Sequence, residues 1–249
     1  MANANQTYIV YEGPSLIDGA PIVVLVQTGS TNRKTGDMVQ TYILHANVDP
    51  ITASRTGQDK AICGDCIHRG KPNLESDKGQ ALGRSCYVTL AHGPLGKWKA
   101  YKKGAYQTAF GHDKTRALGL GRIVRLGTYG DPAAAPSFLW ESLLSASAAH
   151  TAYTHGAVNP MPAQIMTSAD SLPQAQSAWA KGERTFRVIA DLAHITKQEV
   201  LCPASEEAGK RTTCDSCKLC GGSSVKGKSV AIVAHGTSKR AAKALINSL

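Results

Sequence analysis

Apolar positions along this chain fall into short β-branched runs, separated further along by stretches of helical spacing. Residues 7–12 and 21–28 contain Tyr8-Ile9-Val10-Tyr11 and Ile22-Val23-Val24-Leu25-Val26, runs of strand length bounded by Gly and Pro. Residues 38–45 form a third run. Residues 47–59, rich in Asp, Thr, Ser and Gly, read as a loop, and so do residues 69–84. Residues 95–106 carry Leu95, Trp98 and Tyr101 at helical spacing, with Gly104 as the stop. Beyond residue 122 strands and helices alternate. The strand 123–129 ends in Gly130-Asp131-Pro132. A helix over 137–147 pairs Leu139 with Leu143 and Trp140 with Leu144. Strands follow at 151–155 and 164–168. Ser171-x-x-Gln174 is a capping box opening a helix that stops at Gly182. Strands at 185–189 and 230–233, with Val200-Leu201 between them, precede a basic amphipathic helix capped by Thr237 or Ser238.

This alternation predicts an α/β fold, a parallel (partial TIM-type) barrel with N-terminal strands and a C-terminal cysteine-rich cluster-binding extension. The expected segments are a β-rich stretch over 1–60, a barrel-like α/β domain over 61–200 and the extension with its basic helix over 201–249. In such folds functional residues gather at the carboxyl ends of strands. The chemically distinctive residues stand at those predicted ends: Cys63, Gly130-Asp131-Pro132, Thr154-His155, Ser168 with Asp170, Arg187, and Cys202.

The cysteines sharpen the picture. All seven fall into two groups. One is Cys63-Gly64-Asp65-Cys66 with Cys86. The other is Cys202 followed by Cys214-x-x-Cys217-x-x-Cys220. Two-residue gaps let neighbouring thiolates converge on one centre, so these are candidate metal ligands. Three cysteines in one run, with Cys202 as a fourth, favour an iron–sulfur cluster over zinc. The first group is either a three-cysteine cluster site with one iron left open, or, with His68, a Cys3His zinc site. Asp65 and Arg69 flank it.

Charge and the chain start change the picture less. The net charge of +10 raises the odds of a nucleic-acid or other anionic partner, but the basic residues are spread out. The loop 29–36 lacks the Gly-Lys-Ser/Thr order of a phosphate loop and reads as surface or substrate-facing. Hydrolase, zincin and dinucleotide motifs are absent from the sequence. No apolar run is long enough to predict a membrane span, and Met1-Ala2-Asn3-Ala4 does not open a signal peptide. A cytoplasmic protein is therefore expected, the host cytoplasm if phage-encoded, where clustered cysteines serve metals and not disulfides.

The order of these features resembles the radical SAM enzymes. In that family three cysteines after the first barrel strand hold a four-iron cluster whose open iron is chelated by S-adenosylmethionine. Gly130-Asp131-Pro132 is similar to the family's Gly-Gly-Glu-Pro strand end, with one Gly fewer and Asp for Glu. Thr154-His155-Gly156 resembles the Thr-Asn-Gly at the third strand end, and Ser168-Ala169-Asp170 the Ser-x-Asp at the fourth. The family's cysteine spacing is Cys-x3-Cys-x-x-Cys. Here nineteen residues separate Cys66 from Cys86, a stretching shared with a few divergent members such as the carbon–phosphorus lyase. The resemblance covers about residues 61–220. It implies one or two 4Fe-4S clusters and S-adenosylmethionine, the latter held by Gly130, Asp131, Pro132, Thr154, Ser168, Asp170 and Arg187. It also implies cleavage to a 5′-deoxyadenosyl radical acting on an unknown substrate. The whole layout, including Cys-Gly-Asp-Cys-x-His-Arg and Tyr-Gly-Asp-Pro-Ala-Ala, further resembles uncharacterised phage- and prophage-encoded proteins, which implies no activity. The alternative expectation is a zinc-binding phage protein, a module that binds nucleic acid or a host protein without catalysis.

Overall fold

The computed structural model describes residues 5–156, 161 and 163–249. The chain start expected to lack a signal peptide, residues 1–4, lies outside them, as do the first four residues of the expected 1–60 segment. In chain order the strands are β1 (Thr7–Pro14), β2 (Pro21–Gln27), β3 (Val39–His45), β4 (Gln107–Thr108), β5 (Ile123–Tyr129), β6 (Ala149–Thr151), β7 (Tyr153–Thr154), β8 (Met166–Ala169), β9 (Thr185–Ile189), β10 (Glu199–Leu201) and β11 (Ser229–Val233). The helices are α1 (Pro50–Thr56), α2 (Lys60–Cys63), α3 (Gly93–Lys102), α4 (His112–Gly119), α5 (Ser137–Leu144), α6 (Leu172–Ala180), α7 (Cys214–Cys217) and α8 (Lys239–Ile246).

The strands form two sheets, ordered β4-β1-β2-β3-β5-β6 and β10-β11-β9-β8-β7. In the first, β2 runs antiparallel to β1 and β3, while β3, β5 and β6 are mutually parallel. The second sheet is parallel throughout. Among the described residues no closed barrel is formed. The two sheets meet at one extended segment. Only Ala152 separates β6, which pairs with β5, from β7, which pairs with β8. From β3 to β9 the parallel strands thus follow one another in space in chain order, apart from the short edge strand β4. The expected segments share these sheets: β3 of 1–60 pairs with β5 of 61–200, and β11 of 201–249 lies between β9 and β10.

Residues 47–59 are not the loop that their composition predicts. Asp49 Oδ1 accepts from the N–H groups of Ile51 (3.0 Å) and Thr52 (3.1 Å), Pro50 opens α1, and Gly57 closes it at φ 81°. The cap signals outweigh the polar composition. The capping box at 171 is also shifted by one residue. Ser171 Oγ accepts from Gln174 N, but Gln174 Oε1 accepts from Asp170 N at 2.7 Å. Ser238 precedes α8 without a side-chain cap. The main core lies against the first sheet around Trp140, whose Nε1 donates to Pro132 O at 2.9 Å.

Arg187, expected among the cofactor-binding residues, is instead structural. Along β9 the side chains alternate, so Phe186 and Val188 face the cavities described below while Arg187 faces away. Its Nε and Nη2 donate to the two Glu199 carboxylate oxygens at 2.8 and 2.6 Å, and Nη2 also donates to His194 O at 2.7 Å. Burial opposes ionisation of Glu199, but Arg187 and Thr196 outweigh it and hold the carboxyl below its usual 4.5. A carboxyl depressed in the folded state stabilises above its unfolded pKa. That contribution is present above about pH 4.5 and is lost as pH falls through the lower folded value. Arg187→Met is expected to cost about 3–5 kcal/mol in denaturant unfolding at pH 7, because it strands a buried carboxylate. Adding Glu199→Leu is expected to recover most of the loss.

Candidate functional site

The first cysteine group is drawn together by the turns on either side of α2, after α1. Helix α2 buries Ala61 and Ile62 and ends at Cys63. Arg69 then folds back over the turn. It donates to Asp59 Oδ1 from Nε (3.1 Å) and Nη2 (2.6 Å), to Gly57 O (2.9 Å), and to Gly64 O (2.8 Å) between the two cysteines. Burial nonetheless pushes the Asp59 carboxyl above its usual range. Asp65, the other flanking residue, points to solvent beside Lys60. Cys86 returns across nineteen residues, its N–H donating to His68 O at 3.0 Å. Cys63, Cys66 and Cys86 consequently line one cavity of about 100 Å³, together with Gly130, Asp131 and His155. Burial, then the neighbouring acids and thiols, pushes the Cys63 thiol well above 9.0, and burial raises Cys86. A bound cation reverses that balance, since a coordinating thiol is deprotonated.

His68 does not line this cavity. It is buried, with Nδ1 2.8 Å from Ser85 Oγ, and it lines a neighbouring cavity of about 110 Å³ with Ser168 and Asp170. Its pKa is lowered by burial. His155, which sequence analysis noted only as a strand-end residue, lines both cavities. Its Nε2 lies 3.1 Å from Asp170 Oδ1. Burial opposes its imidazolium, but Cys66 and Asp170 outweigh burial and hold its pKa well above 6.5. Its strand-end position after Thr154 is legible in the sequence, but its pairing with Asp170, the residue after β8, is not.

Gly130-Asp131-Pro132 closes the far side. Gly130 has φ 84°, and a Cβ there would lie 2.6 Å from Ile43 Cβ on β3. Asp131 N donates to Ile62 O at 2.6 Å. Its Oδ1 accepts from Ala133 N (2.9 Å) and from Thr154 Oγ1, and its Oδ2 accepts from His155 N (2.6 Å). Thr154 is consumed by this network and lines none of the three cavities described here, and neither does Pro132. Ser168 is different. Its buried Oγ has no hydrogen-bond partner among the described residues, although it belongs to the wall shared by Asp170 and His155. An orphaned buried hydroxyl is costly, and a ligand atom would satisfy it.

The second cysteine group also assembles. Cys202, Cys214 and Cys220 line a third cavity of about 470 Å³. Cys217 lies close enough for its charge to act on the other three thiols. Burial first, then those neighbours, pushes Cys220 up to about 12. The loop 29–36 docks on α7, with Cys214 N donating to Lys34 O (3.0 Å) and Asp215 N to Thr35 O (3.1 Å). Tyr87 and Tyr153 line all three cavities. Among the described residues no set of three or more His, Cys, Asp or Glu side chains is arranged around a single ion position. A cluster differs from a single ion in this respect, since each thiolate binds its own iron and the sulfurs stand further apart. Among the described residues no helix is long and apolar enough to cross a membrane.

Asp131→Ala is expected to lower stability by about 3 kcal/mol, because three donors lose a charged acceptor. Asp131→Asn keeps one carbonyl acceptor and is expected to cost less. Urea unfolding of the two variants checks the order. Compared with models of protein families, with curated proteins and with solved structures, the chain matches none.

Proposed function

We propose that the protein is a divergent radical SAM-type iron–sulfur enzyme built on an open, partial barrel. The observation that carries this reading is the convergence of Cys63, Cys66 and Cys86 with Gly130 and Asp131 on one cavity, beside a second cavity holding Ser168 and Asp170. The cysteines come from the connection between β3 and β4, Gly130 and Asp131 follow the end of β5, Asp170 follows Ser168 at the end of β8, and His155 follows β7. The three thiols fit a cluster with one open iron, and the orphaned Ser168 hydroxyl fits a ribose or other polar ligand atom. When bound, such a cluster supplies the single electron that splits S-adenosylmethionine into methionine and a 5′-deoxyadenosyl radical. In this reading Arg69 holds the cysteine turn closed, Asp131 fixes His155 and Thr154, and the His155–Asp170 pair forms the polar end of the second cavity. Cys202, Cys214, Cys217 and Cys220 hold an auxiliary cluster.

One observation favours a second reading. His155, bonded to Asp170 and adjacent to Cys66, has the carboxylate–histidine arrangement common behind zinc ligands. In that reading both cysteine groups bind zinc and the protein is a binding module. Its basic helix α8, with Lys239, Arg240 and Lys243, would meet nucleic acid or another anionic partner.

Anaerobic reconstitution with iron and sulfide, followed by reduction in the presence of S-adenosylmethionine, separates the two. The expected outcome is a brown protein that releases 5′-deoxyadenosine. Cys63→Ala is expected to reduce that release more than 100-fold, on the order expected for loss of the group that carries the hard chemistry. The same variant should keep the iron of the second group. A colourless protein carrying about two zinc ions per chain overturns the enzyme reading.

A further inference from the structure

The largest of the three cavities, about 470 Å³, has an unusual charge balance. Lys34, Arg125, His92 and His235 contribute to its wall, and among the described residues no Asp or Glu does. Arg125 Nη2 donates to the hydroxyls of Tyr87 and Tyr153, each at 2.8 Å, while its Nε and Nη1 have no partner among the described residues. Lys34 Nζ lies 3.2 Å from His235 Nε2. His235 Nδ1 lies 3.1 Å from Val233 O, which makes Nδ1 the donor and Nε2 the acceptor of the lysine proton. The lysine is thus held by a neutral ring and not by a carboxylate. Thr151 also belongs to this wall. It is 4% exposed, and its Oγ1 has no hydrogen-bond partner among the described residues. Buried polar atoms rarely go unpaired, so Thr151 is a second, independent sign of a missing ligand atom.

The rest of the wall is flat and aromatic. Tyr153 stacks on Phe186 with ring centroids 4.2 Å apart at 6°, and Tyr87 stacks on His235 at 5.7 Å and 28°. The volume lies in the range of small-molecule sites. That volume suits one charged functional group on a planar body.

We infer that this cavity binds an anionic small molecule, a carboxylate or phosphate joined to a flat unsaturated or aromatic body. Arg125 Nε and Nη1 each keep an N–H for a single charge-assisted hydrogen bond to an oxyanion oxygen, and no carboxylate among the described residues cancels the guanidinium charge. Lys34 supplies the second cation, Thr151 a donor, and the Tyr153–Phe186 pair the face for the planar part. Calling this ligand the substrate rests on the proposed enzyme reading, because the same Tyr87 and Tyr153 also line the cavity of Cys63, Cys66 and Cys86. The binding itself does not. The Cys202, Cys214 and Cys220 thiols form part of the wall, so metal-bound thiolates are the competing countercharge for Arg125.

Calorimetric titration of the full-length, metal-loaded protein, without S-adenosylmethionine, tests the site. The probes are phenyl phosphate, benzoate and the neutral benzyl alcohol. At least one anion is expected to bind, more weakly as salt rises, and the alcohol is expected not to bind. Which anion binds tells phosphate from carboxylate. Arg125→Gln is expected to weaken anion binding about tenfold or more, and Thr151→Val several-fold, with metal content and circular dichroism unchanged. Should Arg125→Gln fail to fold, Lys34→Gln serves in its place, with an expected several-fold loss. Three results overturn the inference: benzyl alcohol binding as tightly as the anions, anion affinity unchanged in the Arg125 or Lys34 variant, or loss of metal from the second cysteine group in step with loss of affinity. Because no cleavage is assayed, failure here and failure of the enzyme reading are read separately.

Discussion

The helix that carries Cys63, the end of β5 and the end of β7 meet at Asp131. Its backbone N–H reaches Ile62, one residue before Cys63, and its carboxylate takes the Thr154 hydroxyl and the His155 N–H from the neighbouring strand end. The geometry of the first cavity therefore depends on one side chain. That side chain can sit there only because residue 130 is glycine, since any Cβ at 130 would press on Ile43. Pro132 follows as the opening residue of a short 3-10 turn, where a missing N–H costs nothing. Each member of the Gly-Asp-Pro triplet thus has a sufficient structural reason. The case for a ligand at this end rests instead on the three thiols and on the unpaired Ser168 hydroxyl.

A second constraint acts at residue 152. The segment from β6 to β7 pairs with one sheet through its first half and with the other through its second half. Between them the Ala152 N–H donates to Cys220 O at 2.8 Å, and Ala152 O accepts from Met166 N at 3.0 Å. The joint between the sheets is thereby also an anchor for the second cysteine group. The loop 29–36 adds a tie from the other side, through Lys34 and Thr35 to α7. The first cysteine group is thus tied to the ends of β5 and β7 through Asp131, and the second to the β6–β7 joint through Ala152.

Much of the scaffold was legible because strand-forming residues and their stops are local. The runs 21–28 and 185–189 announce themselves through β-branching, and the stops at Gly130 and Gly182 through left-handed glycine. Helix α1 was not read, because Thr52, Ser54 and Thr56 resemble a loop unless Asp49 and Gly57 are weighed as caps. The cysteine spacings showed which thiols belong together. They did not show that His68 would turn toward Ser85, or that His155 would take the place beside Cys66, since both outcomes depend on contacts between distant strands. Arg187 misled for a simple reason. A strand end offers two faces, and periodicity alone does not say which one holds Glu199. The tyrosines at 87 and 153 carried no pattern at all, because their role is to be a wall.

That wall organises the charge of the molecule. Asp59, Asp131 and Asp170 lie with the first cysteine group beside Arg69 and Arg84, whereas Lys34 and Arg125 lie with the second, whose cavity has no acid among its described residues. Opposite charges this near one another would ordinarily pair, and a pair would leave neither free to meet a ligand. Tyr87 and Tyr153 hold the guanidinium by their hydroxyls, which satisfy two donors without cancelling its charge. The net charge of +10 is spread thinly over the surface, while Lys34 and Arg125, neither paired with a carboxylate among the described residues, face the same cavity. An anion held there rests against the two rings that also line the cavity of Cys63, Cys66 and Cys86, so a small molecule recognised by its charge at one cysteine group is positioned by shape next to the other.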